Sequence, residues 1–331
     1  MELSIAQHVF SNYFDDAQVI DYSVVNNGLI NKTYKLDTSQ GIYILQEINQ
    51  HVFKEPELAL ENIKRVSSWL KEHEFNYAFP TPIHYTYKFF FDKLWRLLPY
   101  INATSYNEIK NKKMVSNATV CIADFYRILD QFPVQDLHVT IPHFHHGKYY
   151  IDEFHKALNH CRTERKSQAI QEINHIKSAL DELVYFDEVV RQLPNRVVHF
   201  DTKISNFLFD EDFKVKALID LDTLMPGSIL SDVGDMIRTY SNKLGEESTD
   251  FDRIKADPET VETIVDSILQ HTQLTDLEKN HLFFAGKAIT LMQSIRFLTD
   301  FLKGDVYYAI NHPFHNLNRA KNQFILYDSM N

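Results

Sequence analysis

The stretch from His199 to Asp222 constrains this chain more than any other part of it. It reads His199-Phe200-Asp201-Thr202-Lys203-Ile204-Ser205-Asn206, then the apolar run Phe207-Leu208-Phe209 and a turn at Asp210-Glu211-Asp212. A second run follows from Lys214 and ends in Ile219-Asp220-Leu221-Asp222. Two short apolar runs around an acidic turn predict a hairpin over 206–221, with one loop entering it and another leaving it. Such a hairpin returns Asp220 to the neighbourhood of Asp201 and Asn206. An Asp or Asn beside a strand is usually only a turn former. The apolar continuation and the second Asp at the far end of the hairpin give this set its weight.

Hard oxygen ligands from one or two side chains, completed by phosphate oxygens, are what magnesium prefers. An Asp and an Asn five positions apart, with another Asp downstream, is also the spacing of a kinase catalytic loop and its metal carboxylate. Phosphoryl transfer asks for a positioned acceptor, an oriented phosphate and neutralised charge, and for little covalent work by the protein. On this reading Asp201 takes or orients the hydroxyl proton, while Asn206 and Asp220 hold magnesium. Lys203 is either a cation for the transferring phosphate or an exposed loop lysine. Asp222 is either a further carboxylate near the metal or a substrate contact. His199 and Asp232 are read as supports of the loop, His199 by packing and Asp232 by fixing its backbone.

Bulk properties narrow the partners. The net charge of -11 disfavours nucleic acid, whose phosphates need a basic footprint. The N-terminus lacks a basic segment followed by an apolar core, and the apolar stretch 285–302 is interrupted by Lys287, Arg296 and Asp300. Neither a signal peptide nor a membrane span is expected. Cys121 and Cys161 read as isolated thiols in a reducing, cytoplasmic setting.

Along the chain, strand-like runs at 20–25, 32–36 and 42–48 and a hairpin at 85–98 surround one helix, expected from Pro56 to His73. Helical spacing dominates afterwards, at 115–132 and 167–193, from Asp257-Pro258, and from a Thr275/Glu278 capping box to Gly304. The expectation is an α+β chain of two lobes. A small antiparallel-sheet lobe with one main helix spans 1–98, a hinge spans 99–104, and a larger helical lobe spans 105–331.

The stretch HFDTKISNFLFD…ALIDLDTLMPGSILSDVGDMIRT resembles the aminoglycoside phosphotransferase and choline kinase group of protein-kinase-like enzymes. NNGLINKTYKL, YILQEIN, VFKEPELALENI, FPTPI, WRLLPYIN, IRFLTDFLKGDVYY and HNLNRAKNQF resemble, more narrowly, N-acetylhexosamine 1-kinases. The resemblance covers nearly the whole chain. It implies a protein-kinase-like fold, MgATP as donor, and the anomeric hydroxyl of GlcNAc or GalNAc as acceptor. It also implies Gly28, Asn31, Gln46 and Tyr100 as nucleotide contacts, and Arg296, Asp300 and Tyr307 as sugar contacts. Polar residues are expected on that helix in any case, because Ile295, Leu298 and Phe301 already claim its apolar face.

Two departures stand out. The lysine that kinase-like enzymes carry on the third strand, paired with a helix Glu, is replaced by Gln46; Lys32, or magnesium together with Lys203, is the candidate substitute, and Glu61 is left without a lysine partner, as a surface charge. The phosphate-side loop, Asn26 to Asn31, has one glycine. The alternatives are a kinase of another small alcohol, such as an aminoglycoside or a choline-like amine, and a nucleotide-binding module without turnover. A zinc site at His143, His145 and His146 is not expected, because adjacent histidines do not share a tetrahedral ion easily. His145 is instead a candidate wall of the sugar pocket.

Overall fold

A computed structural model describes residues 1–25, 31–50 and 52–330. Gly28 lies outside the described residues. The chain begins with α1 (Leu3–Phe10), β1 (Val19–Val25), β2 (Lys32–Thr38), β3 (Gly41–Ile48), α2 (Pro56–Glu72), β4 (Lys88–Phe90) and β5 (Lys93–Pro99). The strands form one antiparallel sheet in the order β1-β2-β3-β5-β4.

Side chains on a strand alternate between faces, and that alternation decides what this sheet does. Tyr34 and Leu36 of β2, Leu45 of β3, and Trp95 and Leu97 of β5 close over Ala6, Val9 and Phe10 of α1. Their strand neighbours Thr33, Lys35, Ile44, Gln46, Arg96 and Leu98 line a cleft on the other side. Phe91 and Asp92, both left-handed with φ 54 and 57, turn β4 into β5, a backbone that matches the strand twist.

Helix α2 has Pro56 in its first turn, as expected. Its apolar residues Ile63, Val66 and Leu70 join the core of the helical part, not that of the sheet. Asn62, fully buried, secures this docking. Its amide donates to the carbonyls of His138 (2.8 Å) and Leu224 (2.9 Å) and accepts the His138 N–H at 2.8 Å.

The rest of the chain holds β6 (Thr104–Ser105), α3 (Lys112–Ile128), α4 (Gly147–His160), α5 (Thr163–Gln168), α6 (Ile170–Val190) and β7 (Arg196–Val198). It continues with β8 (Phe207–Phe209), β9 (Val215–Leu218), β10 (Met225–Gly227), α7 (Ile229–Ser241), α8 (Pro258–His271), α9 (Asp276–Lys303) and α10 (His315–Asp328). The expected hairpin is β8–β9, flanked by β6, and β7 pairs with β10. Helix α9 opens on the expected reciprocal cap between Thr275 and Glu278 and ends on Gly304, φ 101. No helix among the described residues is long and apolar enough to cross a membrane.

Three features differ from expectation. The helix expected over 167–193 breaks at buried Ala169, φ -107 and ψ 16, into α5 and α6. Arg165 of α5 is drawn to Asp305, at 2.6 Å, beyond the end of α9, so packing against α9 sets the break. Helix α1, absent from the sequence reading, is the cover of the sheet. Helix α7 was also missed, although its polar residues Ser231, Asp232, Asp235, Arg238 and Thr239 recur at helical spacing; all of it except Thr239 is buried, so that polar face meets protein and not solvent.

Helices α7 and α9 meet at glycines. A Cβ on Gly234 of α7 would lie 2.5 Å from Ile289 Cγ1 and 2.6 Å from the Ala285 carbonyl oxygen of α9. Gly234→Ala should therefore cost about 1–3 kcal/mol by overpacking, read as a lower urea midpoint. A variant of unchanged stability would contradict this close approach.

Candidate active site

The loop between β7 and β8 is held by one carboxylate. Asp232, on the first turn of α7, has no exposure at all. Its oxygens accept the backbone N–H of His199 (3.0 Å) and Phe200 (2.6 Å) and the phenol of Tyr126 (2.6 Å). Its carbonyl accepts Thr202 Oγ1 at 2.8 Å, and Tyr240 donates to the Thr202 carbonyl at 2.8 Å. Phe200 is thereby kept at φ 66, a conformation uncommon for a bulky residue. Burial raises the Asp232 pKa even though the three donors oppose it.

His199 is equally buried and works through both ring nitrogens. Nδ1 accepts the Asp201 N–H at 3.3 Å, which leaves Nε2 to donate to the Ile219 carbonyl at 3.0 Å. One ring thus ties the loop to the far end of the hairpin. Ile219 N–H in turn donates to the Asn206 carbonyl at 2.9 Å, so 201, 206 and 220 are fixed as one unit.

Asp201, Lys203, Asn206 and Asp220 all line the cleft, whose volume is about 930 Å³. Lys203 Nζ donates to Asp201 Oδ2 at 2.7 Å. Burial works to raise the Asp201 pKa, but the Lys203 ammonium, with His199 and Asn206 adding to it, outweighs burial and holds the carboxyl below its ordinary value. Burial would likewise lower Lys203, and Asp201 with Asp220 raise it instead. Asn206 Nδ2 donates to the Asp201 carbonyl at 2.8 Å, which leaves its Oδ1 without a donor among the described residues.

Asp220 is in the left-handed region, φ 63 and ψ 60. Its carboxylate has no hydrogen-bond or ion-pair partner among the described residues. Burial, with Asp201 and Asp222 adding to it, pushes its pKa up to about 6. A carboxylate and a bare amide oxygen fit a hard divalent cation that takes its other ligands from phosphate. No group of three or more His, Cys, Asp or Glu able to hold a metal occurs among the described residues, so such an ion would depend on its substrate for ligands.

Asp222 does not take the place expected of a substrate contact. It is buried, is not among the residues that line the cleft, and accepts both Arg96 Nη1 and Nη2 (the latter at 2.8 Å) and Asn31 Nδ2 at 2.9 Å. Arg96, a lone cation in the apolar strand Leu94-Trp95-Arg96-Leu97-Leu98, was missed by the sequence reading. That isolation within a buried strand was the available signal. Gln46 touches Arg96 directly, its Oε1 accepting Arg96 Nε at 2.8 Å. Lys32 turns out to solvent against Glu47, at 3.4 Å, and is no substitute lysine. Glu61 pairs with His138 at 2.9 Å on the surface. Tyr100 lines the cleft beneath Lys35, whose ammonium lies 5.2 Å from the ring centre.

The opposite end of the cleft is built by α7, α9 and the segment after α9. The Arg296 guanidinium sits 5.2, 5.3 and 5.8 Å from the rings of Phe144, Tyr150 and Tyr308 and donates to Gln293 at 2.8 Å. It makes no ion pair among the described residues. Asp300, expected to touch a sugar, is buried away from the cleft. Its carboxylate accepts the N–H groups of Val306 (3.0 Å), Tyr307 (2.9 Å) and Tyr308 (2.9 Å) and the Asn316 amide (3.0 Å). Asp300 thus shapes the segment that carries Tyr307, half-exposed at the rim, and Tyr308. Asp235 was passed over in the sequence although it lies three residues from Asp232. It binds Arg238, and its Oδ2 is buried without a partner among the described residues.

Asp232→Ala would strand two amides and a phenol, and unfolding should become easier by about 3 kcal/mol or more at ~1–3 kcal/mol per lost partner. A stable variant with an ordered loop would contradict the role of Asp232. His145, also in the cleft, yields a pH prediction. Burial, then Arg296 and Arg238, push its pKa down to about 3 against an upward pull from Asp201. The unfolded chain therefore takes up a proton near ~6.5 that the folded chain refuses. Stability is lost as pH falls below that value. The drop in urea midpoint between pH 7 and 4 should be smaller in His145→Phe than in the wild type, and equal drops would contradict it.

Comparisons with known proteins agree with this fold. A sequence model of the phosphotransferase enzyme family matches residues 21–257. The fold is similar to that of an aminoglycoside phosphotransferase from Alicyclobacillus acidocaldarius, with a TM-score of 0.65 and 12% identity over 98% of this chain and 94% of that one. It is similar to spectinomycin phosphotransferase in complex with ADP and spectinomycin, with a TM-score of 0.61 and 10% identity over 96% and 92%. It is also similar to Plasmodium vivax ethanolamine kinase, with a TM-score of 0.56 and 17% identity over 96% and 85%. The chain belongs to the phosphotransferase enzyme family.

Proposed function

We propose that this chain transfers the γ-phosphoryl group of MgATP to the anomeric hydroxyl of an N-acetylhexosamine, GlcNAc or GalNAc. The observation that carries the acceptor class is the charge state of the cleft's far end. Arg296 stands in an aromatic box without a carboxylate. The carboxylates nearby are engaged by arginines, Asp235 (through one oxygen) and Glu246 by Arg238 and Glu247 by Arg319. A polycationic aminoglycoside or a choline-like amine would meet an unpaired guanidinium there. A neutral sugar with an acyl carbonyl offers that guanidinium a good acceptor. The choice of N-acetylhexosamine and of the 1-position rests further on the resemblance of the stretches 295–308 and 315–324.

On this reading Asn31, Gln46 and Tyr100 face the nucleotide, and Asn206 Oδ1 with the Asp220 carboxylate would hold magnesium. The ion would supply charge neutralisation at the phosphates. Asp201, kept ionised by Lys203, orients the acceptor hydroxyl and takes its proton as oxygen bonds to phosphorus and the bond to ADP breaks. Lys203 moves between the Asp201 carboxylate and the phosphate oxygens as a shared cation.

ADP release with MgATP and a panel of free sugars, aminoglycosides and amino alcohols tests the reading. Turnover should appear with GlcNAc or GalNAc. Turnover confined to cationic acceptors would overturn the acceptor class, and MgATP binding without any turnover would overturn the enzyme. Asp201→Asn should lower kcat about 10²–10⁴-fold with MgATP affinity kept, and full activity would remove Asp201 from its role. Arg296→Met should raise the acceptor KM about 10-fold or more, the cost of a lost charged hydrogen bond, and leave the nucleotide KM unchanged. A nucleotide effect would place Arg296 at the wrong end.

A further inference from the structure

A kinase-type site needs a cation from the small lobe on the nucleotide phosphates, itself held by a carboxylate. Gln46 occupies the strand position where that lysine belongs and carries no charge. The neighbouring strand supplies one. In the β3–β5 ladder Gln46 is directly opposite Arg96, so both side chains stand on the cleft face. Gln46 Nε2 donates to Thr33 Oγ1 at 3.0 Å, which turns its Oε1 towards Arg96 Nε, 2.8 Å away. The glutamine is an aiming device for the guanidinium.

The holding carboxylate has also moved. Helix α2 sends Glu61 to the surface and uses Asn62 to dock. Asp222, two residues beyond Asp220, takes over and receives Arg96 through a two-pronged contact. Asn31 completes the arrangement. Its Nδ2 donates to Asp222 at 2.9 Å and its Oδ1 accepts the Asn49 N–H at 2.9 Å. Arg96 lines the same cleft as Asn206 and Asp220.

We propose that Arg96 is the phosphate-binding cation of this site, standing in from β5 for the lysine absent at Gln46 and aimed by Gln46 and Asp222. The proposal rests on the reading of the chain as an ATP-dependent kinase and names the residue that holds the α- and β-phosphates. A buried ion pair is weak evidence for a purely stabilising role, because apolar side chains of like volume often do as well. A guanidinium kept in the wall of a phosphate site has a further use, since its planar fork suits phosphate oxygens. Because its carboxylate comes from the metal loop, the cation is placed only when the sheet and the helical part are engaged.

Calorimetric titration of the full chain with MgADP and, separately, adenosine tests this. The variants are Arg96→Gln and the double variant Arg96→Gln/Asp222→Asn, which faces two amides and buries no lone charge. Wild type should prefer MgADP. Both variants should bind MgADP about 10–100-fold more weakly, as expected for lost charge-assisted hydrogen bonds, with adenosine affinity unchanged. Equal weakening of both ligands, recovery of MgADP affinity in the double variant, or failure of both variants to fold would make Arg96 a brace and overturn the proposal. If wild type does not prefer MgADP to adenosine, the kinase reading itself fails, and this inference with it.

Discussion

The carboxylate of Asp232 is the point on which the site depends. It accepts two consecutive backbone N–H groups and a phenol in a place with no access to water. Without it, Phe200 would have little reason to stay in a left-handed conformation, and the turn that presents Asp201 would relax. The same helix that supplies Asp232 is clamped to α9 through Gly234 and Gly286, so the position of the carboxylate is set by a close helix–helix approach. Core packing is thereby converted into the placement of the Asp201 carboxylate. His199 extends the chain of constraint to Ile219 and so to Asp220.

Charge pairing then divides the cleft. Asp201 has Lys203, Asp222 has Arg96, and Asp235 and Glu247 have Arg238 and Arg319. Among the described residues Asp220 and Arg296 lack such partners, and they sit in different parts of the same cleft. The unpaired carboxylate is suited to a divalent cation, and the unpaired guanidinium to an oxygen acceptor on a neutral or anionic molecule. A phosphate donor brought by its metal and an acceptor sugar answer both needs at once. The sheet contributes by having two unlike faces, one closed by α1 and one left open to the cleft.

Much of this was legible in the sequence where local chemistry sets the structure. The hairpin over 206–221, the Thr275/Glu278 cap and the turn at Gly304 depend on residues close together in the chain, and the pattern carries them. Helix α7 carries a periodic polar face, Ser231, Asp232, Asp235, Arg238 and Thr239, and what stayed hidden was that this face turns into the protein, where all of the helix but Thr239 is buried. Asp222 and Asp300 were misjudged for a related reason. A carboxylate in a functional stretch looks the same whether it faces a ligand or accepts bonds from distant groups. Arg96 is 126 residues from Asp222, and no local pattern joins them. Asp300 and the N–H groups of Val306 to Tyr308 lie close in sequence, but their contact depends on how the chain turns after Gly304.

The central claim is that the geometry around Asp201, Asn206 and Asp220 transfers phosphate to the anomeric oxygen of a sugar held by Arg296. Phosphorus NMR of the product made from MgATP and GlcNAc or GalNAc tests it most directly. The account predicts a monoester resonance whose phosphorus couples to the anomeric proton, appearing with an equal amount of ADP. A phosphorus coupled to any other sugar position, or ADP and free phosphate with the sugar unchanged, would contradict it.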